Sequence, residues 1–434
     1  VRRVYFTICA TNYLPLARTC LKSVARVDPH ATLRLSLCDR PAPETSGAPG
    51  LDESFDVRVA EDAGWPAFAR NTLRYDVLEL ATSIKPRVFA DLFAEGFDQV
   101  VYVDPDLWFV SHLDELDEAF AGGATAVLTP HACAPQSGDG QGGGGTDHRF
   151  LTVGAYNLGF LALANAPETR AFVRWWGERL DEDCVVDLER GLFTDQKWCD
   201  LLPCLVEGAR VLRHDGYNVA YWNLETRELL EMPQGWRVNG RPLRFVHFSG
   251  ARRGATAAVS THEPNRPLQE RAAFKVLADA YFAEVAASTH PTDPTGPCGY
   301  DVDARGRRVP GMVKRLHREA GSTPAVPAGQ GPTALANMAD AALLPDPAVR
   351  QDQDREISRL MTMVHRSRRD LREAFDLSTP GGRAGFVHWF EGARDRELGF
   401  APEFAARPRR DAAPWARVMR QAVVLIRRAV RRIG

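Results

Sequence analysis

Apolar and polar positions follow two different periods along the first forty residues. Val4–Ala10 alternates and then runs apolar like a strand, Leu14–Val27 repeats its apolar residues at helical spacing, and Thr32–Cys38 reads as a second strand closed by Asp39. That is a βαβ unit. Pro66 opens a helix through Leu80, Ser83 precedes another through Phe93, and Val100–Val103 supplies a short apolar strand. Ala124–Leu128 and Ala155–Leu163 read as strands and Pro167–Leu180 as a helix. A further helix begins at Phe193–Trp198, with Thr194 or Asp195 as its cap. Val211–His214, Tyr217–Asn223 and Leu243–His247 are extended candidates. Strands alternating with helices predict an α/β sheet covered by helices on both faces.

From about Pro291 the texture changes to Pro/Gly/Ala-rich segments that suit a linker, and beyond them Asp352–Phe375 and Arg383–Glu397 look helical. The expected organisation is therefore a catalytic-type α/β domain over 1–288, a linker over 289–350 and a small helical module over 351–434. Residues Gln136–Thr146 are glycine-rich and predict a mobile loop. No strand leads into them and no Gly-Lys-Ser/Thr follows, which rules out a phosphate loop.

The net charge of -2 over 434 residues argues against a nucleic-acid binder. It conceals a basic tail: Arg407, Arg409, Arg410, Arg417, Arg420, Arg427, Arg428, Arg431 and Arg432 face one acid, Asp411. Pro414–Ile433 places its apolar residues on one helical face and its arginines on the other. Such a helix can lie on an anionic membrane surface, or can pack on the rest of the chain with a solvated basic face. The eight cysteines contain no Cys-x-x-Cys pair and read as reduced core residues. With a strand at the start and no apolar segment of membrane-spanning length, the expected location is cytoplasmic, and the basic tail adds the option of peripheral attachment at the inner face of the plasma membrane.

Candidate chemistry begins where the strand Val100–Val103 ends, at Asp104-Pro105-Asp106. Asp-x-Asp also occurs at Asp181/Asp183, Asp301/Asp303 and Asp352/Asp354, so the spacing alone means little. Only the Asp104 copy follows a buried-type strand, and open α/β sheets bind ligands outside such strand ends. Pro105 holds Asp104 extended, so both carboxylates can face a divalent cation. Alternatively, Asp106 starts a turn and Ser111 caps the helix Leu113–Phe120.

Asn12-Tyr13 after the first strand, Asp104-Pro105-Asp106, Asn157-Leu158-Gly159, Asp195-Gln196, and His247 through Arg253 occur in an order that resembles the family 8 glycosyltransferases. These are retaining GT-A-type enzymes. The resemblance covers roughly residues 4–255. Thr129-Pro130-His131, Tyr156–Phe160, Gly191–Gln196 and Tyr217–Asn223 look more specifically like a family-8-related group of bacterial glycosyltransferase domains.

The resemblance implies a GT-A-type nucleotide-binding sheet with Mn²⁺, or Mg²⁺, held by Asp104, Asp106 and His247. It places Thr7, Ala10, Asn12 and Tyr13 at the nucleotide and Arg253 at the phosphates, while Lys85 and Arg87, on a helix leading to the metal strand, either reach the phosphates or donor sugar or are ordinary exposed cations. Arg253 stands where the family's motif carries a lysine, and Ala10-Thr11 replaces an acidic residue. Asn157, Asp195 and Gln196 would face the sugar, with Gln196 beside the reacting carbon and Asp195 either forming a covalent intermediate or orienting sugar hydroxyls. Asp39 either approaches the base or caps its turn, and His247 is otherwise an ordinary strand-end histidine. Tyr217, Tyr221 and Trp222 form either a sugar platform or core.

The implied activity is metal-dependent transfer of a hexose from a UDP-sugar to a glycan or glycolipid, with retention, in bacterial surface polysaccharide or glycolipid synthesis. A sugar-nucleotidyltransferase and a catalytically lapsed nucleotide-sugar-binding scaffold are the alternatives.

Overall fold

The computed structural model describes residues 1–40, 55–136, 145–252, 258–325, 330–351, 356–393 and 397–404. The basic tail, most of the glycine-rich stretch and Arg253 lie outside them. Chain contacts divide into two units, one of residues 1–71 and 75–299, the other of 72–74 with 300–434.

The first unit is built on a mixed, mostly parallel seven-stranded sheet. Its strands include β1 (Arg3–Cys9), β2 (Thr32–Leu37), β3 (Asp56–Val59) and β4 (Gln99–Val103). A short β5 (Leu107–Phe109) lies outside this sheet, which continues with β6 (Ala126–Pro130) and β7 (Tyr156–Ala164). In space the order runs from the strand Ala209–Val211 through β6, β7, β4, β1 and β2 to β3. β1 runs parallel to β2 and β4, whereas β7 is antiparallel to β4 and β6.

Alternate residues of β1 serve opposite faces. Tyr5 joins Leu14, Ala17, Leu21 and Val24 of helix α1 (Leu14–Val27) in one core. Phe6 meets Phe89 of the helix Lys85–Ala94 at 4.9 Å between ring centroids, and Phe89 in turn meets Trp176 of Pro167–Asp183. Both faces are thus covered, which explains why the central strands read as nearly continuous apolar runs.

Several expected elements differ. The single helix Pro66–Leu80 is instead one turn at Phe68–Asn71 and a separate helix Val77–Ser83. Asp76 starts the latter through a capping box in which its carboxylate accepts from the Glu79 N–H and Glu79 accepts from the Asp76 N–H. Tyr217–Asn223 is not a strand: Asn218 adopts φ 55°, and Tyr221–Asn223 is a 3-10 turn. Thr194 at φ 46° likewise breaks the helix expected from Phe193, and the helical turns begin at Lys197.

The stretch 289–350 is not simply a linker. The first unit runs on to Gly299, and helices Gly311–Glu319 and Gly331–Ala342 belong to the second unit. Leu335, Met338, Ala339 and Ala342 are buried in that unit's core with Leu360, Val364, Phe386 and Phe390. Alanine is a strong helix former and Pro332 sits at a helix start where proline is tolerated, so a composition that resembles linker folds here. The expected helix Asp352–Phe375 is split at Arg368, which is extended between Arg359–Ser367 and Arg369–Ala374.

Candidate metal centre

β4 pairs with β7 through Val103 and Phe160, and the Asp104 N–H extends the ladder by donating to the Gly159 carbonyl at 2.8 Å. Pro105-Asp106 then turns the chain into β5, which pairs antiparallel with Phe245–His247 so that His247 lies opposite Leu107. The Phe248 N–H donates to the Asp106 carbonyl at 2.9 Å and fixes this register. Two carboxylates and an imidazole far apart in the chain therefore meet at the C-terminal end of a parallel strand. His247 Nε2 is 3.1 Å from Asp106 Oδ1 and 3.7 Å from Asp104 Oδ2. One ligand atom from each residue lies within 4.8 Å of the others.

The donor set fits a divalent cation. Two carboxylate oxygens and one imidazole nitrogen suit a borderline ion such as Mn²⁺. The imidazole is buried, while the two acids keep side-chain exposures of 28% and 21%, which leaves their far side open to a ligand. Burial opposes charge on His247, but the Asp106 and Asp104 carboxylates outweigh it and raise its pKa above the ordinary value. Burial raises Asp104, against the pull of Lys85 and His247. Tyr102 donates its hydroxyl to Asp104 Oδ1 at 2.5 Å and so aims the other oxygen at the histidine.

Gly159 makes this approach possible. A Cβ there would stand 2.6 Å from His247 Cε1 and 2.8 Å from both Asp104 Oδ2 and Asn157 Oδ1. Gly159→Ala is therefore expected to push the ligands apart and weaken Mn²⁺ binding by at least ~10-fold, as loss of a ligand's supporting contacts does. Titration with the metal alone checks this, and unchanged affinity would refute the close-approach argument.

Asp195 and Gln196 lie against the same strand ends. Asp195 does not cap the following helical turns: its Oδ2 is 2.5 Å from Lys85 Nζ, with side-chain exposures of 3% and 2%. The same ammonium donates to the Leu158 carbonyl at 3.0 Å and lies 3.9 Å from the centre of the Tyr102 ring. Gln196 Oε1 accepts from the Leu158 N–H at 3.1 Å, and its Nε2 donates to the Val153 carbonyl at 3.0 Å. Asn157 Oδ1 accepts from the Gly159 N–H, and its Nδ2 lies 3.5 Å from Gln196 Oε1. Lys85, Asn157, Asp195 and Gln196 thus share backbone and side-chain contacts with the residues beside Asp104.

Other expected site residues are placed differently. Arg87 is not directed to the acids. Its guanidinium is 2.5 Å from Asp181 Oδ2 and packs where Gly177 leaves room, joining two helices. Thr7 is wholly buried within β1, and its hydroxyl has no hydrogen-bond partner among the described residues. Ala10 is buried and accepts from the Tyr13 N–H; Asn12 is partly exposed and Tyr13 is 50% exposed. Asp39 is buried, with its carboxylate accepting from the Thr11 N–H at 2.7 Å and the Gly299 N–H at 2.9 Å. It closes loops rather than facing open space. Tyr217 is core, packed on Phe160 and Phe245 with its hydroxyl on Glu115. Trp222 stands edge-on to His247 at 5.1 Å, and its indole N–H has no partner among the described residues.

Reasoning from sequence missed Tyr102 as the partner of Asp104, Gly159 as the gap between the ligands, and Asn218, whose side chain meets His247 Nδ1. A signal existed only for Asn218, because asparagine tolerates a left-handed backbone between apolar residues better than other side chains do.

No family model matches the chain. A stretch of 182 residues, 40% of this chain, is 28% identical to the uncharacterized protein YfnD of Bacillus subtilis (strain 168), covering 53% of that protein. A second uncharacterized protein of the same strain, YfnF, is 27% identical over 157 residues, 36% of this chain and 50% of its own length. The chain thus spans about half the length of the curated relatives it matches. Among solved structures it is similar to the galactosyltransferase LgtC in complex with donor and acceptor sugar analogs, at 13% identity and a TM-score of 0.38, covering 66% of this chain and 97% of that one. It is also similar to mouse xyloside xylosyltransferase 1, at 15% identity and a TM-score of 0.33, covering 57% and 96%. A third is the glycosyltransferase GlyE of Streptococcus pneumoniae TIGR4, at 15% identity and a TM-score of 0.35, covering 68% and 66%. Likenesses of this size carry no conclusion about activity.

Proposed function

We propose that the chain is a metal-dependent glycosyltransferase of the GT-A, family 8-like type. On this reading it moves a hexose from a nucleoside-diphosphate sugar, a UDP-sugar, to a glycan or glycolipid in bacterial surface polysaccharide or glycolipid synthesis. The observation that carries this reading is the meeting of Asp104, Asp106 and His247 at the C-terminal end of β4. Open α/β sheets bind their ligands at that edge, and acids alone at a turn would not need a buried imidazole between them.

A divalent ion held by these three residues would neutralise the diphosphate and act as a Lewis acid on the leaving group. The chain's own residues supply the rest. Tyr102 and His247 hold the carboxylates in place, and Tyr13, half exposed beyond β1, is available to stack on a base. Lys85 neutralises Asp195 at the sugar side. A carboxylate bound to an ammonium and almost fully buried is a weak nucleophile, and the amide of Gln196 is weaker still with its carbonyl oxygen already accepting a hydrogen bond. Retention by front-face substitution follows more readily than a covalent intermediate. Gln196 then stabilises positive charge developing at the sugar.

Among the described residues no helix is long and apolar enough to cross a membrane. Association with an anionic leaflet is a proposal that rests on the sequence of the basic tail.

The test is a donor screen with Mn²⁺ and with EDTA, following release of nucleoside diphosphate with and without bacterial glycolipid. Metal-stimulated release with UDP-sugars is expected. Release of pyrophosphate from a nucleoside triphosphate would make the chain a nucleotidyltransferase, and donor binding without turnover would make it a lapsed scaffold.

A further inference from the structure

We propose that Asn218 is the positioning residue that makes His247 a metal ligand, by fixing which ring nitrogen carries the proton. This rests on the metal reading above. The argument starts from a group whose polarity is not in question, the backbone N–H of Gly159, which donates to the side chain of Asn157 at 3.1 Å. The accepting atom must therefore be the amide oxygen of Asn157. Asn218 meets that same oxygen at 2.9 Å and so presents its NH₂ group there, and the same nitrogen lies 3.0 Å from Thr129 Oγ1, which can accept from it.

With its nitrogen committed, Asn218 turns its amide oxygen to His247 Nδ1 at 3.1 Å. That oxygen can only accept, so Nδ1 carries hydrogen, which leaves Nε2 as the nitrogen to bind a cation. Nε2 is the nitrogen that faces Asp106 and Asp104. One chain of hydrogen bonds thus transmits the polarity of a backbone amide in β7 to the ligand atom, passing through Asn157 on the way. Second partners of this kind orient the ring and set ligand strength at metal sites.

Asn218 is fully buried, so none of these bonds competes with solvent. Its φ of 55° lies in the left-handed region, where asparagine and glycine are tolerated and most other side chains are strained. Glycine can therefore replace the backbone role of Asn218 without its side chain, and aspartate can supply the acceptor without the donor.

The experiment measures Mn²⁺ binding to the full chain by electron paramagnetic resonance, using the metal alone and reading both affinity and the coupling of bound Mn²⁺ to a ligand nitrogen. Asn218→Gly is expected to bind about 10- to 100-fold more weakly and to lose the nitrogen coupling. Asn218→Asp is expected to lose less affinity than Asn218→Gly and to keep the coupling, because its carboxylate still accepts from Nδ1–H although its second oxygen now meets Asn157 Oδ1. Thr129→Val, which removes a bond of the same asparagine on the side away from the histidine, is expected to leave metal binding unchanged.

Wild-type affinity in Asn218→Gly overturns the proposal. So does a loss in Asn218→Asp or Thr129→Val as large as that in Asn218→Gly, since packing alone would then account for it. If Asn218→Gly does not fold, loss of nitrogen coupling in Asn218→Asp is sufficient to overturn it. A wild-type chain that binds no Mn²⁺ removes the metal reading and this inference together, whereas wild-type binding with indifferent variants removes the inference alone.

Discussion

Asp106→Asn is expected to lower Mn²⁺ affinity and metal-stimulated turnover by about 100-fold or more, while leaving the chain folded. The amide has nearly the shape of the carboxylate but not its charge, and Asp106 Oδ1 is the acid oxygen nearest to the imidazole, at 3.1 Å from Nε2. Among the described residues the Asp106 side chain has no bond like that between Tyr102 and Asp104 apart from its contact with His247, and its backbone carbonyl still receives the Phe248 N–H in the variant. Calorimetric titration with Mn²⁺ and nucleotide release at fixed metal concentration would read the two effects separately. Turnover equal to wild type would end the role proposed for the acid pair.

The second large effect concerns stability. Lys85→Met should destabilise the first unit by about 3–5 kcal/mol, because it strands the carboxylate of Asp195 in a site with almost no solvent contact. What remains to the Asp195 carboxylate among the described residues is one hydrogen bond, from the Thr194 hydroxyl at 3.1 Å. The double variant Lys85→Met/Asp195→Asn should recover much of that loss, since removing both charges removes the need to solvate either. Urea unfolding of the single and double variants measures the coupling. A single variant within about 1 kcal/mol of wild type would show the pair to be more hydrated than its burial implies. Both variants should also lose donor turnover if the pair faces the sugar, and the double variant then separates the two roles by regaining stability without activity.

Legibility followed range. The βαβ start, the apolar strand leading to Asp104 and the helices over Lys85–Ala94 and Pro167–Asp183 lie in contiguous periodic residues, and the structure has them where the pattern placed them within a few positions. The errors fell where one residue overrode a window. Asp76 started a new helix, Thr194 and Asn218 took left-handed geometry, and alanine-rich segments of composition typical of linkers became packed helices. Lys85 and Arg87 are equivalent cations in the sequence. In the structure one is buried against Asp195 and the other bridges to Asp181, because neighbours on a helix separated by two residues point to different sides.

The sequence by itself determined that two carboxylates stand at the exit of a buried strand, since periodicity and the constraint of Pro105 act on adjacent residues. It also determined that a sheet with helices on both faces would carry them. Only the tertiary structure decided that β5 pairs with Phe245–His247, which brings the imidazole to the acids, and that Gly159 leaves room for them to meet. Only there, too, does Asn218 acquire a histidine to orient. Local preference resides in a few successive side chains, whereas these contacts depend on which distant segments burial forces together.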